Sequence, residues 1–169
     1  MAGGTLHCFF EGYFVSYSTT FGSKQDLFAQ LWKEYALSDS RYISGDPIVR
    51  CAETITVLVW GPLSFLTAVL IANGSPFRHP FQLIVSVGHL YGDVLYLSTS
   101  LVDLHVRYVS YSRPEPYYFW FYFMFMNLIW VFVPACEFYL IVVVPRRMLT
   151  RCSSLVPEHI EDCRSILGH

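Results

Sequence analysis

The sequence predicts an all-α fold, a polytopic transmembrane helical bundle, and three observations support it. Hydrophobic residues make up 54% of the 169 residues and charged residues only 14%, whereas a soluble domain carries about 25% charged residues. The mean hydropathy is +0.41, and the apolar residues gather in long segments between polar loops. Polar residues within these segments recur at helical spacing, which predicts helices whose polar sides face one interior.

Three apolar segments contain about 20 residues or more, enough for a helix to cross a hydrocarbon layer of ~30 Å. They are Glu53 to Ala72, Phe81 to Val102, and Tyr117 to Val144. Pro134 is expected to kink the third, and Pro145 with the two arginines after it should end it. A fourth segment, Leu6 to Tyr17, would extend only about 18 Å as a helix. We interpret it as the end of a helix whose beginning is missing.

The polar stretch after this first segment, Ser23 to Ala36, predicts a short amphipathic helix that lies in the membrane interface. Its apolar residues recur at helical spacing: Leu27, Phe28, Leu31, Trp32 and Tyr35. Ser23 and Asp26 resemble a capping box at its start. The alternative is an ordinary polar loop. Lysine and arginine divide almost evenly between the two sides of the membrane, so they do not determine the orientation.

Charge and cysteine content exclude several classes of function. A formal net charge of −2 implies no nucleic-acid partner. The five cysteines are odd in number and lack metal-type or redox-type spacing, which favours buried or lipid-facing thiols over catalytic ones.

Two carboxyl groups in apolar surroundings, Glu11 and Glu53, are the main candidates for chemistry. An acid in hydrocarbon costs several kcal/mol and is kept mainly where it faces a bundle interior or acts in function. His7 precedes Glu11 by four residues, so both project from the same side of a helix. Burial disfavours the charged form of a carboxyl group, so either acid could hold a proton near neutral pH. The three groups together could move protons in a dry pocket.

Each predicted span also carries a stripe of polar or tryptophan side chains. The stripes consist of Glu53, Thr56, Trp60 and Thr67; of Gln82, Ser86, His89 and Asp93; and of Asn127, Trp130 and Glu137. Thr67, Gln82 and Ser86 are interpreted as partners in hydrogen bonds between helices. Asp93, placed near a helix end, could be a site residue, pair with an interfacial cation or cap a loop.

Three further stripe or belt residues are interpreted as interfacial. Glu137 could reach toward the membrane interface. Trp60 and Trp120 are expected in the aromatic belt, whereas Trp130 lies mid-helix beside Asn127 and favours a site role.

Five blocks of the sequence resemble the emopamil-binding protein family of the EXPERA superfamily. They are HCFFEGYFV, LWKEYALSDSRYISGD, CAETITVLVWGPLS, LIVSVGHLYGDVLY and YYFWFYFMFMNLIW, and they extend from about His7 to Pro134. The resemblance implies a bundle of five transmembrane helices around a sterol pocket. This chain would lack the family's first helix and part of the second. Residues 1–145 would form the membrane domain, and residues 146–169 a polar tail.

The resemblance also implies an activity: a 3β-hydroxysteroid Δ8-Δ7 isomerase of sterol biosynthesis, in the endoplasmic reticulum membrane and the nuclear envelope. The matching catalytic positions are His7, Glu11, Glu53, Thr56, Asn127 and Trp130, with Tyr42 as a sterol contact near the pocket entrance. One acid would donate a proton and the other, with His7, would accept one. The Trp130 ring would stabilise a carbocation.

The same resemblance implies the ligands. They are the sterol, cationic amphiphilic drugs and membrane lipid, with a homodimer as a possible assembly. No redox cofactor is implied, and a metal at His7, Glu11 and Glu53 is disfavoured by the hydrocarbon substrate and by the lack of cysteine or second-histidine ligands. The alternative function is a non-catalytic sterol or drug-binding membrane protein, either a paralogue or an inactive truncated form.

Overall fold

A computed structural model describes residues 2–143 of the chain, and all regular elements among these residues are helical. The helices are α1 (residues 2–17), α2 (Leu27–Ala36), α3 (Arg41–Ser44), α4 (Pro47–Ala72), α5 (Arg78–Val106) and α6 (Tyr118–Val143), with a 3₁₀ turn at Phe21–Ser23. The predicted all-α membrane fold is therefore confirmed. The predicted polar tail and the stop after Pro145 lie outside the described residues.

The lengths of the main helices agree with the predicted spans. Among the described residues, α4 and α6 have 26 residues each and are long and apolar enough to cross a membrane, by length and composition. The third predicted span lies within α5, whose 29 residues extend ~43 Å and include more polar side chains. α1 packs along α4, and α4 packs along α5. Pro134 lies inside α6, where it cannot donate a backbone hydrogen bond to Trp130.

Three of the helices contain a π-helical segment, in which hydrogen bonds span five residues instead of four. These segments are Leu6–Glu11 in α1, Thr56–Trp60 in α4 and Tyr118–Phe125 in α6. π-Helical turns occur frequently at functional sites. These segments are not predictable from the sequence, because helical periodicity in an apolar segment does not reveal one extra residue.

An aromatic core joins the short helices to the long ones. It consists of Phe14, Phe21, Trp32, Ala36, Tyr42 and Val49. The Trp32 indole stacks on the Phe10 ring at 4.6 Å between centroids and donates a 3.0 Å hydrogen bond to the Phe10 carbonyl. That bond joins α2 to α1. The apolar cluster around it stabilises their packing through burial and aromatic contacts.

The predicted amphipathic helix is confirmed as α2, although its start differs. Asp26 is the N-cap and accepts a 3.1 Å hydrogen bond from the Ala29 N–H. Ser23 takes no part in the cap, because it lies in the 3₁₀ turn and donates to the Thr20 carbonyl. A hydrogen bond from the Tyr13 hydroxyl, together with the Ala29 N–H, holds the pKa of Asp26 below its usual range. Asp26 thus ties the start of α2 to α1.

The predicted apolar residues of α2 divide between two environments. Trp32 is buried in the core, whereas Leu27, Phe28 and Leu31 are exposed. An exposed row of apolar residues suits a helix that lies on the hydrocarbon boundary.

A buried ion pair holds α3 against α5. Arg41 donates to Asp39 through Nε at 3.0 Å to each carboxylate oxygen and through Nη2 at 2.6 Å. From α5, the Thr99 hydroxyl accepts from Arg41 at 2.9 Å, and the Tyr96 hydroxyl donates to Asp39 at 2.5 Å. Gly45 then ends α3 with φ of 74°, a left-handed conformation that glycine adopts without strain.

Candidate functional site

The π-helical turn of α1 brings together the first two site residues. His7 Nδ1 lies 2.9 Å from each carboxylate oxygen of Glu11, one turn further along the helix. His7 is only 4% exposed, and 17% of the Glu11 side chain is exposed. The predicted pairing of these residues is confirmed. The imidazole can exchange a proton with the acid directly, while the acid remains accessible from one side.

The second acid, Glu53, lies on α4 opposite α1. It lies near enough to Glu11 for the charges of the two carboxyl groups to interact. Tyr42 donates a 2.6 Å hydrogen bond to Glu53 Oε1. Two carboxylates this close repel each other when both are ionised, so the arrangement favours one proton shared between them.

The contact with Glu53 gives Tyr42 a place in the site. Tyr42 is 4% exposed and belongs to the aromatic core, and its side chain orients Glu53. Its sterol contact near a pocket entrance stays a prediction. The α3 segment, held in place by the Asp39–Arg41 pair, carries this tyrosine.

Trp130 reaches the same place from α6. Its ring centroid lies 5.2 Å from that of His7 and 6.1 Å from that of His89. Gly3 of α1 lies beside the indole, since a Cβ there would be 3.6 Å from Trp130 Cζ3. Trp130 thus lies next to His7, while its site role stays a prediction.

Asn127 and Thr56 have their polar groups engaged within their own helices. The buried Asn127 amide donates to the Phe123 carbonyl at 2.6 Å, and the Thr56 hydroxyl donates to the Ala52 carbonyl at 3.0 Å. Neither bond joins an acid, so the orienting roles implied for these two residues remain predictions.

Two further polar residues of the site lie on α5. His89 has its ring centroid 4.9 Å from that of His7. Asp93, one turn later, lies close enough to Glu11 and Glu53 to interact with both charges. Asp93 is near the middle of α5, so its predicted place near a helix end is wrong. The polar stripe on this span was the sequence signal for both residues.

Other stripe residues serve packing between or within helices. Ser86 donates a 2.9 Å hydrogen bond to Glu137, which confirms the interhelical role of Ser86 and places Glu137 in a pair that joins α5 and α6. Thr67 bonds to the Leu63 carbonyl of its own helix at 2.7 Å, not to another helix.

The two belt tryptophans differ in their surroundings. Trp120 is 65% exposed, as a belt residue would be. Trp60 instead packs across α5, where a Cβ at position 88 would overlap its indole, and its ring lies 6.3 Å from that of His89. The belt interpretation of Trp60 is therefore wrong.

The His7 ring lies next to both Glu11 and Trp130. A cavity of about 10 Å³ lies elsewhere, with Ser38, Tyr111 and Phe123 among its walls. That volume suits one water molecule and no sterol.

Comparison with known proteins identifies the family. The sequence profile of the EXPERA (EXPanded EBP superfamily) family matches residues 27–140. The mouse 3-beta-hydroxysteroid-Delta(8),Delta(7)-isomerase is 38% identical over 160 residues, which are 95% of this chain and 66% of the mouse protein. The guinea pig protein of the same name is 41% identical over 134 residues, 79% of this chain and 57% of that protein.

A plant relative, the protoglabretal synthase of Citrus sinensis, is 36% identical over 132 residues, 78% of this chain and 60% of that protein. The chain thus spans about two thirds or less of the length of these relatives. The profile match covers most of the chain, and the matched range includes Glu53, Asn127 and Trp130. The chain belongs to the EXPERA (expanded EBP) superfamily.

Proposed function

We propose that this chain acts as a 3β-hydroxysteroid Δ8-Δ7 isomerase of sterol biosynthesis. The observation that carries the proposal is a group of two acids and one imidazole in an apolar bundle: His7 Nδ1 lies 2.9 Å from Glu11, and Glu53 lies near enough to both for their charges to interact. The isomerases named above, from mouse and guinea pig, are similar to this chain over most of its length. Moving an isolated double bond requires an acid and a base within reach of neighbouring carbons, and this pair provides both.

The proposed reaction begins with proton transfer to the sterol. The protonated member of the acid pair gives its proton to C9, and the π electrons of the 8,9 double bond form the new C–H bond. A tertiary carbocation remains at C8. The ionised member, assisted by His7, then removes a proton from C7, and the electrons of that C–H bond form the 7,8 double bond. One proton enters and one leaves, so the sterol keeps its composition.

The other side chains of the site support these two steps. The Trp130 ring would face the cation at C8, an attraction worth about 2 kcal/mol or more where water is excluded. Tyr42 fixes the orientation of Glu53 through its 2.6 Å hydrogen bond. The exposed edge of Glu11 would give the sterol its approach. Thr56 and Asn127 remain candidates for orienting residues.

The location and the remaining partners belong to the same proposal. The endoplasmic reticulum membrane would supply the sterol, and the exposed apolar sides of α4 and α6 suit contact with its lipids. Amphiphilic drugs with a protonated amine would bind where the carbocation forms. A homodimer remains a possible assembly.

Expression of the 169-residue chain in yeast that lacks its own 8,7-isomerase tests this function. We expect the Δ8 sterol that accumulates in that strain to fall and Δ7-derived sterols to appear. The chain with both acids changed to glutamine is the matched control, and it should leave the sterol profile of the strain unchanged. Continued accumulation of Δ8 sterol with a well-expressed wild-type chain would overturn catalysis and favour a sterol-binding protein without turnover.

Replacing Trp130 with leucine should slow turnover more than it weakens binding. Loss of about 2 kcal/mol of cation stabilisation corresponds to at least about a tenfold fall in kcat. The ground-state sterol is uncharged, so its Kd should change much less. Sterol titration and initial rates on the purified protein measure both quantities.

Trp120→Leu is the control for this variant, because that tryptophan is on the same helix but exposed. It should alter neither quantity. Equal losses of binding and rate in Trp130→Leu would make the ring a packing residue.

A further inference from the structure

Several buried polar atoms have no hydrogen-bond partner among the described residues. They are His7 Nε2, His89 Nε2, Asp93 Oδ2 and, on α4, Ser64 Oγ. An unpaired polar atom in a protein interior is costly, and natural structures almost always supply a partner, frequently an ordered water. Three of these atoms belong to His7, His89 and Asp93, which lie near one another, and they indicate a small polar ligand among these residues in the working protein.

The positions of these atoms indicate a path away from the acids. His7 Nδ1 contacts Glu11, so the unpaired Nε2 atom lies on the opposite side of the imidazole ring from that acid. The His89 ring lies 4.9 Å from the His7 ring, centroid to centroid, and Asp93 follows His89 by one helical turn. Trp60 and Trp130 flank His89 at 6.3 and 6.1 Å. With aromatic rings this close, a ligand between these polar groups must be small, as water is.

We propose that His89 and Asp93 hold water against His7 and form a proton relay to the Glu11–Glu53 pair. The proposal rests on the isomerase function proposed above. His89 and Asp93 act here through water and His7, so they are positioning residues and not groups that touch the sterol.

Each relay step conserves protons and charge. The Glu11 O–H bond breaks as the Nδ1–H bond of His7 forms, and the Nε2–H bond of the same ring breaks as its proton passes to water. That water gives one of its own protons to Asp93 or to His89 Nε2. The reverse sequence returns a proton to Glu11. The relay lets a proton taken from C7 pass to water and be replaced by another proton before the acid pair protonates the next sterol.

Isotope labelling during many turnovers in D₂O tests the relay. A sterol with protium at C7 releases protium to the enzyme at each cycle. With the relay intact, this protium is exchanged and the product carries deuterium at C9. In Asp93→Asn and His89→Gln, more protium should return to sterol, so the deuterium content at C9 should fall by about twofold or more at matched turnover.

Ser86→Ala is the control, because Ser86 lies one turn before His89 on α5 and pairs with Glu137. It should keep the wild-type labelling. A purely structural role of His89 or Asp93 would lower the rate without changing the isotope content, and that result would overturn the relay. Absence of turnover by the wild-type chain would overturn the isomerase function instead.

A second measurement does not depend on turnover. In detergent micelles, the imidazole ¹⁵N resonances of His7, assigned by their loss in His7→Gln, report the state of both ring nitrogens. The relay predicts that Asp93→Asn shifts the Nε2 resonance while Ser86→Ala does not. Unchanged His7 resonances in Asp93→Asn would contradict a connection between the two residues.

Discussion

Replacing Glu53 with glutamine is expected to abolish isomerisation while leaving the fold intact. The amide is close in shape to the acid and keeps an oxygen that can accept the hydrogen bond from Tyr42, which is 2.6 Å long in the wild type. The amide can neither donate nor accept the catalytic proton. Loss of a positioned acid or base costs about a hundredfold to ten thousandfold in rate, which the assay should register as absence of Δ7 product.

The measurement requires proof that the variant is folded. Circular dichroism and thermal unfolding in detergent should match the wild type. Glu115→Gln is the control variant, because Glu115 is an exposed acid that pairs with Arg113 at 2.8 Å away from the site. It should retain full activity. Wild-type turnover by Glu53→Gln would remove this acid from the mechanism.

Replacing Asp39 with asparagine should produce the largest loss of stability. The change removes the negative charge that faces Arg41 while the guanidinium stays buried, with side-chain exposures of 0% and 3%. Removing one partner of a buried ion pair typically lowers the free energy of unfolding by about 3–5 kcal/mol. Because Tyr42 adjoins Arg41, the orientation of Glu53 should loosen as well. Denaturant titration in detergent micelles measures the stability.

A double replacement separates the charge from the shape of this pair. Asp39→Asn combined with Arg41→Met leaves no unpaired charge and should recover much of the lost stability. Arg113→Gln, which breaks an exposed pair, is the control and should change little. A double variant as unstable as Asp39→Asn alone would show that the hydrogen bonds with Tyr96 and Thr99, not the charge, hold α3 to α5.

Helical periodicity in the sequence predicted the features that depend on spacing along one helix. These features include the apolar spans and the i,i+4 contact of His7 with Glu11. These follow from helix geometry alone, since residues four apart share a face. The interhelical bond of Ser86 was predicted because a polar group in an apolar span needs a partner on another helix.

Features that depend on how separate helices meet could not be predicted in the same way. Trp60 occupies the interior because Gly88, on another helix, leaves room for its ring. Asp39 and Arg41 look like ordinary loop charges in sequence, yet Tyr96 and Thr99 enclose them. Tyr42 was predicted as a site residue from resemblance alone. Its hydrogen bond to Glu53 depends on how α3 packs against α4, which the sequence pattern does not reveal.

The π-helical turn at Leu6–Glu11 sets how the first residues of α1 meet the rest of the bundle. Deleting one apolar residue between His7 and Glu11 would leave these two residues three apart, a spacing at which side chains still share one side of a helix. The same deletion would draw the part of α1 before it about 1.5 Å along the axis and change the place of Gly3 beside Trp130. A single-codon deletion could therefore loosen the packing around the indole while every ionisable residue of the site is still present.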